Sequence, residues 1–322
     1  MVSNILRCSA KGLLALVLLL ALVIASFRLA ASIRETGTRA ELAPPSGRLV
    51  PTRSGGVFVQ EKGPADGIPV VLFHGSVAWS EFWRRTIDAL AAGGFRVIAL
   101  DIPPFGFSDR PGHYARSDQA PRVNDVLRAL TSARPIIVGH SIGSGAATEF
   151  VMRYPDDARA LVLIDPALGL TSPASEPNPI FQPKWIRELV ISVTLTNPIA
   201  TKPLLQMMIA KKERALPEYI AILQRPWVQR DSTPDYADWL LDFLGAESTS
   251  LSADRKSYSN LKIPVALLWG DQDTVTPLDQ AHDLQTLLPQ ATLTLLPGLG
   301  HIPQIEDPDV FKDALLKVLG KL

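Results

Sequence analysis

Gly139-His140-Ser141-Ile142-Gly143 closes a short apolar run, Ile136-Ile137-Val138, and opens onto the small residues Ser144-Gly145-Ala146-Ala147. Such a run reads as a buried parallel strand, and a helix that begins with small residues can pack close against it. The turn between them is tight enough that a Cβ at either flanking glycine is expected to clash. It lifts the Ser141 hydroxyl clear of the backbone at the carboxyl end of the strand. That hydroxyl attacks a carbonyl carbon only if an imidazole takes its proton, and the imidazole needs a carboxylate to fix its tautomer and support its charge. By itself the pattern is weak, because a strand-to-helix turn without chemistry uses the same residues. A base, an acid and an oxyanion site must be found elsewhere in the chain.

Five histidines are available as the base. His140 is beside the serine in sequence but points away from it. His74 ends an apolar run and is expected to brace the loop that follows, while His113 and His282 read as loop and helix-surface residues. His301, in Leu299-Gly300-His301 after the last strand, is placed to swing over Ser141. For the acid, Trp269-Gly270-Asp271-Gln272-Asp273-Thr274-Val275-Thr276-Pro277 follows a strand and offers two carboxylates. Asp273 lies deeper in the loop and is the better candidate; Asp271 is expected to serve the turn through backbone bonds. Asp165, after an earlier strand, is the alternative acid. Ser141, Asp273 and His301 occur in the order expected of an elbow serine and its partners.

The elements that must position these residues are legible as alternating apolar runs and helical repeats. Strands are expected over 57–60, 68–74, 95–100, 135–140, 159–165, 263–269 and 291–296. Helices are expected after Trp79, over 117–129, 142–154, 278–288 and 309–319. That alternation predicts an α/β fold with a doubly wound, mostly parallel sheet, in which ligands bind outside the carboxyl ends of the strands. From 168 to 258 no buried-strand run occurs, and prolines punctuate segments of helical character such as 184–195 and 235–244. This interruption predicts an inserted helical lid (168–258) between two parts of one core (57–167 and 259–322). The lid's Trp185, Trp227, Trp239, Tyr219, Tyr236 and Met207-Met208 would either face an apolar substrate or form the lid's own core.

Composition bounds the rest. Lys+Arg and Asp+Glu each number 32, so nothing favours nucleic-acid binding. The lone Cys8 leaves no intrachain disulfide and no thiolate cluster. Arg7 and Lys11 precede an uncharged apolar run over 12–27, so segment 1–35 reads as a signal anchor or a signal peptide standing outside the globular fold. Arg28 sits awkwardly between that run and any cleavage site near Ala30-Ala31-Ser32, which favours an uncleaved anchor with an extracytoplasmic domain; a secreted protein is the alternative. Residues 36–56, rich in Pro, Gly and Ser, read as a linker.

Taken together, these motifs resemble the α/β-hydrolase superfamily over roughly residues 57–322. The resemblance rests on His74-Gly75, Asp101 with Gly106-Phe107-Ser108-Asp109, the serine elbow, Gly270 with Asp273, and Gly300-His301. It implies an oxyanion hole made by the backbone N–H groups of Ser76 and Ile142. Pro104 departs from the glycine usual in similar chains. The serine argues against epoxide hydrolases and haloalkane dehalogenases, which carry aspartate there. The Ser76-Val77-Ala78-Trp79 stretch lacks the glycines usual in C–C hydrolases and the proline of perhydrolases. The resemblance thus implies a carboxylic ester hydrolase acting on a small apolar ester-like substrate, with no cofactor, metal or protein partner. A C–C bond hydrolase or a hydrolase-fold receptor for a small ligand is the alternative.

Overall fold

The apolar runs form strands: β1 (Gly47–Val50), β2 (Val57–Lys62), β3 (Pro69–Phe73), β4 (Arg96–Leu100), β5 (Ile136–His140), β6 (Ala160–Ile164), β7 (Val265–Gly270) and β8 (Thr292–Leu296). In the computed structural model, which describes residues 2–171, 176–245 and 249–322 with side chains from residue 11 onward, these strands make one sheet. Its order is β1-β2-β4-β3-β5-β6-β7-β8. β1 and β2 join antiparallel at one edge, and every pairing from β4 to β8 is parallel.

The helices are α1 (Val2–Arg34), α2 (Arg39–Leu42), α3 (Arg84–Ala92), α4 (Arg116–Leu130), α5 (Gly143–Arg153), α6 (Lys184–Val193), α7 (Thr201–Met208), α8 (Pro217–Gln224), α9 (Ser232–Leu244), α10 (Asp279–Leu287), α11 (Pro303–Glu306) and α12 (Pro308–Leu319). Both sheet faces are covered, which is why the central strands are apolar without alternation. On one face Val71, Ile98, Ile137 and Leu161 meet Val126 of α4, Phe150 of α5 and Leu284 of α10. On the other, Val70, Leu72, Val138 and Val162 meet Ile87 and Leu90 of α3 and Phe311 and Leu315 of α12. Neighbouring residues of one strand thus serve opposite cores, as the two-residue pleat requires.

Between β6 and β7 the chain leaves the sheet for α6–α9, and no strand occurs there among the described residues. Residues 172–175 and 246–248 of the expected lid lie outside the described residues. The insertion shares a core with loops at the carboxyl end of the sheet: Ile191, Leu205, Tyr219, Trp227 and Tyr236 pack with Phe82 and Phe105. It therefore covers the strand ends where the candidate residues collect.

Two features depart from the sequence reading. Residues 36–56, expected as linker, contain α2 and the edge strand β1. β1 buries only Val50, so no apolar run announces it. Segment 1–35 was expected to stand apart, yet the last turns of α1 are docked on the insertion. Ala31 is buried. Arg28 pairs with Glu188 at 2.9 Å, Arg34 donates to the Thr196 carbonyl, and Glu35 accepts from the Thr233 N–H at 3.0 Å. The partners lie more than a hundred residues away, so local pattern could not reveal them.

Candidate active site

The elbow is built as its glycines require. A Cβ on Gly139 would meet Ser144 Cα at 2.6 Å, and one on Gly143 would meet the His74 carbonyl oxygen at 2.3 Å. Ser141 itself sits at φ 52°, a left-handed conformation that costs a side-chain-bearing residue about 1–3 kcal/mol. Bonds from β6 and the loop after it oppose that cost: Ser141 N–H donates to the Ile164 carbonyl at 3.1 Å, and Ala167 N–H donates to the Ser141 carbonyl at 3.0 Å.

Ser141, His301 and Asp273 come together in one hydrogen-bonded chain. His301 Nε2 lies 2.8 Å from Ser141 Oγ, and His301 Nδ1 lies 2.8 Å from Asp273 Oδ2. A carboxylate only accepts, so Nδ1 carries the proton and Nε2 offers its lone pair toward the serine hydroxyl. Burial alone would push the Asp273 carboxyl up. The His301 bond and charge and the Thr276 donors outweigh it and hold Asp273 below the usual carboxylate range.

Asp273, not Asp271, makes the local turn. Its Oδ1 accepts from the N–H groups of Val275 (2.7 Å) and Thr276 (2.9 Å), and its Oδ2 accepts from Thr276 Oγ1 at 2.6 Å. Asp271 instead reaches across to the Gly298 N–H at 2.7 Å. One aspartate can do both jobs because a carboxylate has room for about four donors. Asp165, the alternative acid, accepts from the Gly270 N–H at 2.8 Å behind the site. Full burial, then the Asp273 charge, raises its pKa well above the carboxylate norm.

The other histidines hold the frame. Burial and then the charge of His301 lower the pKa of His140 to about 3. Its Nε2 lies 2.7 Å from the His301 carbonyl, to which it donates. His74 accepts from the Ile102 N–H through Nε2 at 2.9 Å and donates through Nδ1 to the Gly75 carbonyl at 2.8 Å. Burial lowers its pKa to about 4. His113 and His282 are exposed.

Two contributors escaped sequence reasoning. Thr276 orients Asp273, and its position three residues on, in a turn after a strand, was the available signal. Glu306 carries no such signal. Its buried carboxylate accepts from the N–H groups of Gly300 (3.0 Å) and Ile302 (3.3 Å), which flank His301, and from those of Ala210 (2.9 Å) and Lys211 (3.1 Å), just after α7. It clasps the histidine loop to the insertion.

The expected oxyanion donors sit on segments that touch. A Cβ on Gly75 would lie 3.1 Å from Ser141 Cβ, so the backbone before Ser76 passes directly over the serine. Ile142 is the residue before α5, where backbone N–H groups are free of helical partners. Next to Ser76, Val77 adopts φ 62°, unusual for a β-branched residue.

Ser141 and His301 open into a cavity of about 450 Å³, walled by Phe82, Leu195, Leu204, Met207, Leu223 and Trp227. No Lys or Arg lines it among the described residues. Of the insertion's aromatic and methionine side chains, Trp227, Met207 and Met208 face this cavity, while Tyr219, Tyr236 and Trp239 belong to the insertion's core. Trp185 does neither and is exposed.

The alpha/beta hydrolase fold model matches residues 68–308. The chain belongs to that family. This hydrolase is 30% identical over 268 residues to a 2-hydroxy-6-oxononadienedioate/2-hydroxy-6-oxononatrienedioate hydrolase of Paraburkholderia phymatum, covering 78% of this chain and 87% of that one. It is 25% identical over 294 residues to the putative hydrolase LipZ of Mycobacterium tuberculosis, covering 85% and 95%. Among solved structures, a bacterial membrane phospholipase A superposes with a TM-score of 0.69 at 24% identity, covering 97% of this chain and 98% of that one. That likeness is one of fold, and at such coverage it takes in much of α1.

Proposed function

We propose that this hydrolase cleaves carboxylic esters of uncharged, apolar groups through an acyl-serine intermediate, and that α1 holds it to a membrane. The observation that carries the reading is the Ser141–His301–Asp273 chain opening into an apolar cavity without a cationic side chain.

His301 Nε2 takes the Ser141 proton as Oγ attacks the ester carbonyl carbon, and Asp273 supports the imidazolium. The N–H groups of Ser76 and Ile142 receive the developing oxyanion; one such donor is typically worth about 2.7–4 kcal/mol in the transition state. His301 then protonates the leaving alcohol. Water, deprotonated by the same nitrogen, attacks the acyl-serine and releases the acid.

A C–C bond hydrolase on the same residues is the second reading, favoured by the substrate for which the Paraburkholderia relative is named. Its substrate is a dicarboxylate. Burying an anion where no cation awaits is costly, which weighs against that substrate in this cavity.

A p-nitrophenyl ester series tests both readings. Each added CH₂ buried in the cavity is worth about 0.8 kcal/mol. kcat/KM should therefore climb about fourfold per CH₂ over the first few carbons. An acyl chain ending in carboxylate should be poor. A flat series, or preference for a ring-cleavage dienoate, would favour the C–C reading. Fluorophosphonate labelling abolished in Ser141→Ala supports an enzyme; a wild-type chain that neither labels nor turns over would be a receptor.

The anchor reading draws on Lys11–Arg34, 24 residues long and apolar enough to cross a bilayer. Arg28, Arg34 and Arg39 are all engaged with folded partners, Glu188, Thr196 and Asp109. That leaves the charges at Arg7 and Lys11 to mark the cytoplasmic side, with the catalytic domain outside. Retention of the full chain in carbonate-washed membranes tests this; release as a shortened soluble form would refute it.

A further inference from the structure

Trp185 is 63% exposed on a helix whose neighbours are well packed, and neither the cavity nor the insertion's core uses it. Its location follows from the ties between α1, α6 and α9. Arg28 meets Glu188 and Arg34 meets Thr196, so α1 and α6 run in the same direction. Thr196 meets Thr233, Arg187 meets the Ala237 carbonyl and Lys184 meets Asp238, so α9 runs antiparallel to both.

At about 1.5 Å rise per residue, Trp185 lies roughly 4.5 Å beyond the Arg28–Glu188 pair, toward the apolar end of α1. Phe243, five residues past Asp238, lies about 7.5 Å beyond the Lys184–Asp238 pair in that same direction. Ile180, in the turn before α6, is brought there too: Arg187 donates to the Phe181 and Gln182 carbonyls, both at 2.6 Å. Pro177 lies beside Gly245, closing the ring at the end of α9. Ile180 and Phe243 are 56% and 51% exposed, and Phe243 stacks on Trp239 with ring centroids 4.9 Å apart.

This is also the level at which α1 leaves the protein. Ile24, Phe27, Arg28 and Ala31 form the stripe against the insertion, whereas residues 11–23 are exposed on every side. Three large apolar side chains thus ring the root of the exposed apolar run of α1. The nearby cations Lys184 and Arg187 are paired with Asp238, so the ring offers apolar surface and little net charge.

We propose that Ile180, Trp185 and Phe243 form a collar that seats in the headgroup–acyl boundary of the bilayer α1 enters. The insertion is then held on the lipid surface while the sheet points away from it. The occupant is lipid because the collar continues the apolar surface of α1, and aromatic side chains with one wet and one apolar side favour that depth. The proposal rests on reading α1 as a membrane anchor.

The test uses the full chain carrying Cys8→Ser and one new thiol, at Trp185→Cys, Phe243→Cys or Asp309→Cys, labelled with an environment-sensitive NBD dye. Each is reconstituted into phosphatidylcholine vesicles with or without lipids brominated on the upper acyl chain. All three sites are exposed, and hydrolysis of a short soluble ester reports that the labelled chains are folded. At 185 and 243 the emission should shift to the blue and be quenched several-fold more than at 309, which lies on α12. Since apolar contact is not screened, raising salt from about 0.05 to 0.5 M should leave that quenching in place. Equal, weak quenching at all three sites in a chain that floats with the vesicles would overturn the collar and leave the anchor standing. A chain that fails to float would overturn the anchor, and the collar with it.

Discussion

Replacing Glu306 by glutamine should loosen the loop that carries His301 while leaving the cavity walls in place. The native carboxylate receives four backbone N–H groups, those of Gly300, Ile302, Ala210 and Lys211, at 2.9–3.3 Å. An amide of the same shape keeps one accepting oxygen and turns an NH₂ donor against the other pair. With the oxygen toward Ala210 and Lys211, the buried N–H groups of Gly300 and Ile302, which flank His301, lose their acceptor. Each such loss costs about 1–3 kcal/mol, so the pair costs about 2–6 kcal/mol. That is a large share of a typical folding stability of about 5–15 kcal/mol. If only about 1.4–2.7 kcal/mol of it is felt as misplacement of His301, kcat falls about 10- to 100-fold. Urea unfolding gives the first quantity, and kcat with p-nitrophenyl butyrate gives the second. KM should stay within about twofold, because the acyl walls are untouched. Glu306→Asp keeps the charge with a shorter reach and should recover part of the rate. Lost stability with an unchanged kcat would make Glu306 a structural clasp alone and refute the positioning argument.

Other outcomes follow from the same geometry. Asp273→Asn should cost about 10⁴ in kcat by leaving His301 in the wrong tautomer. Asp165→Asn should cost little, and the reverse ranking would move the acid to β6. His140 is held neutral to about pH 3, whereas in the unfolded chain it gains a proton below about pH 6.5. Stability is therefore lost as pH falls through that window, by up to about 1.4 kcal/mol per pH unit. His140→Gln should lack this contribution, so its melting temperature should converge on that of wild type as pH falls from 7 to about 4.5; parallel curves would count against it. Val77→Gly removes a side chain from φ 62° and should raise stability by about 1 kcal/mol, read by calorimetry. A fall in stability would mean that the valine's contacts outweigh its strain.

Residues whose role depends on their own neighbours in sequence were legible. Gly139 and Gly143 had to flank Ser141, and the apolar runs of β3, β5, β6 and β7 marked strands buried on both faces. The ends of β5, β7 and the last strand, β8, in turn pointed to Ser141, Asp273 and His301. Where burial was one-sided or partners were remote, the signal failed. β1 buries only Val50 and reads as linker, and Asp271 reads as the turn residue although Asp273 makes the turn. Glu306 carried no signal, because two of its four donors, the N–H groups of Ala210 and Lys211, come from a segment distant in sequence.

The division between the two levels of information is physical. Local sterics and side-chain periodicity are short-range, so the sequence by itself determined the strand-turn-helix elbow, the α/β alternation, the interruption after β6 and the apolar amino-terminal helix. The distances within the Ser–His–Asp chain are long-range consequences of packing, as are the uncharged walls of the cavity and the docking of α1 on the insertion. They required three stretches separated by up to 160 residues to meet at the carboxyl end of one sheet. Only the tertiary structure decided that Arg28 and Glu35 join the amino-terminal helix to the cover of the site.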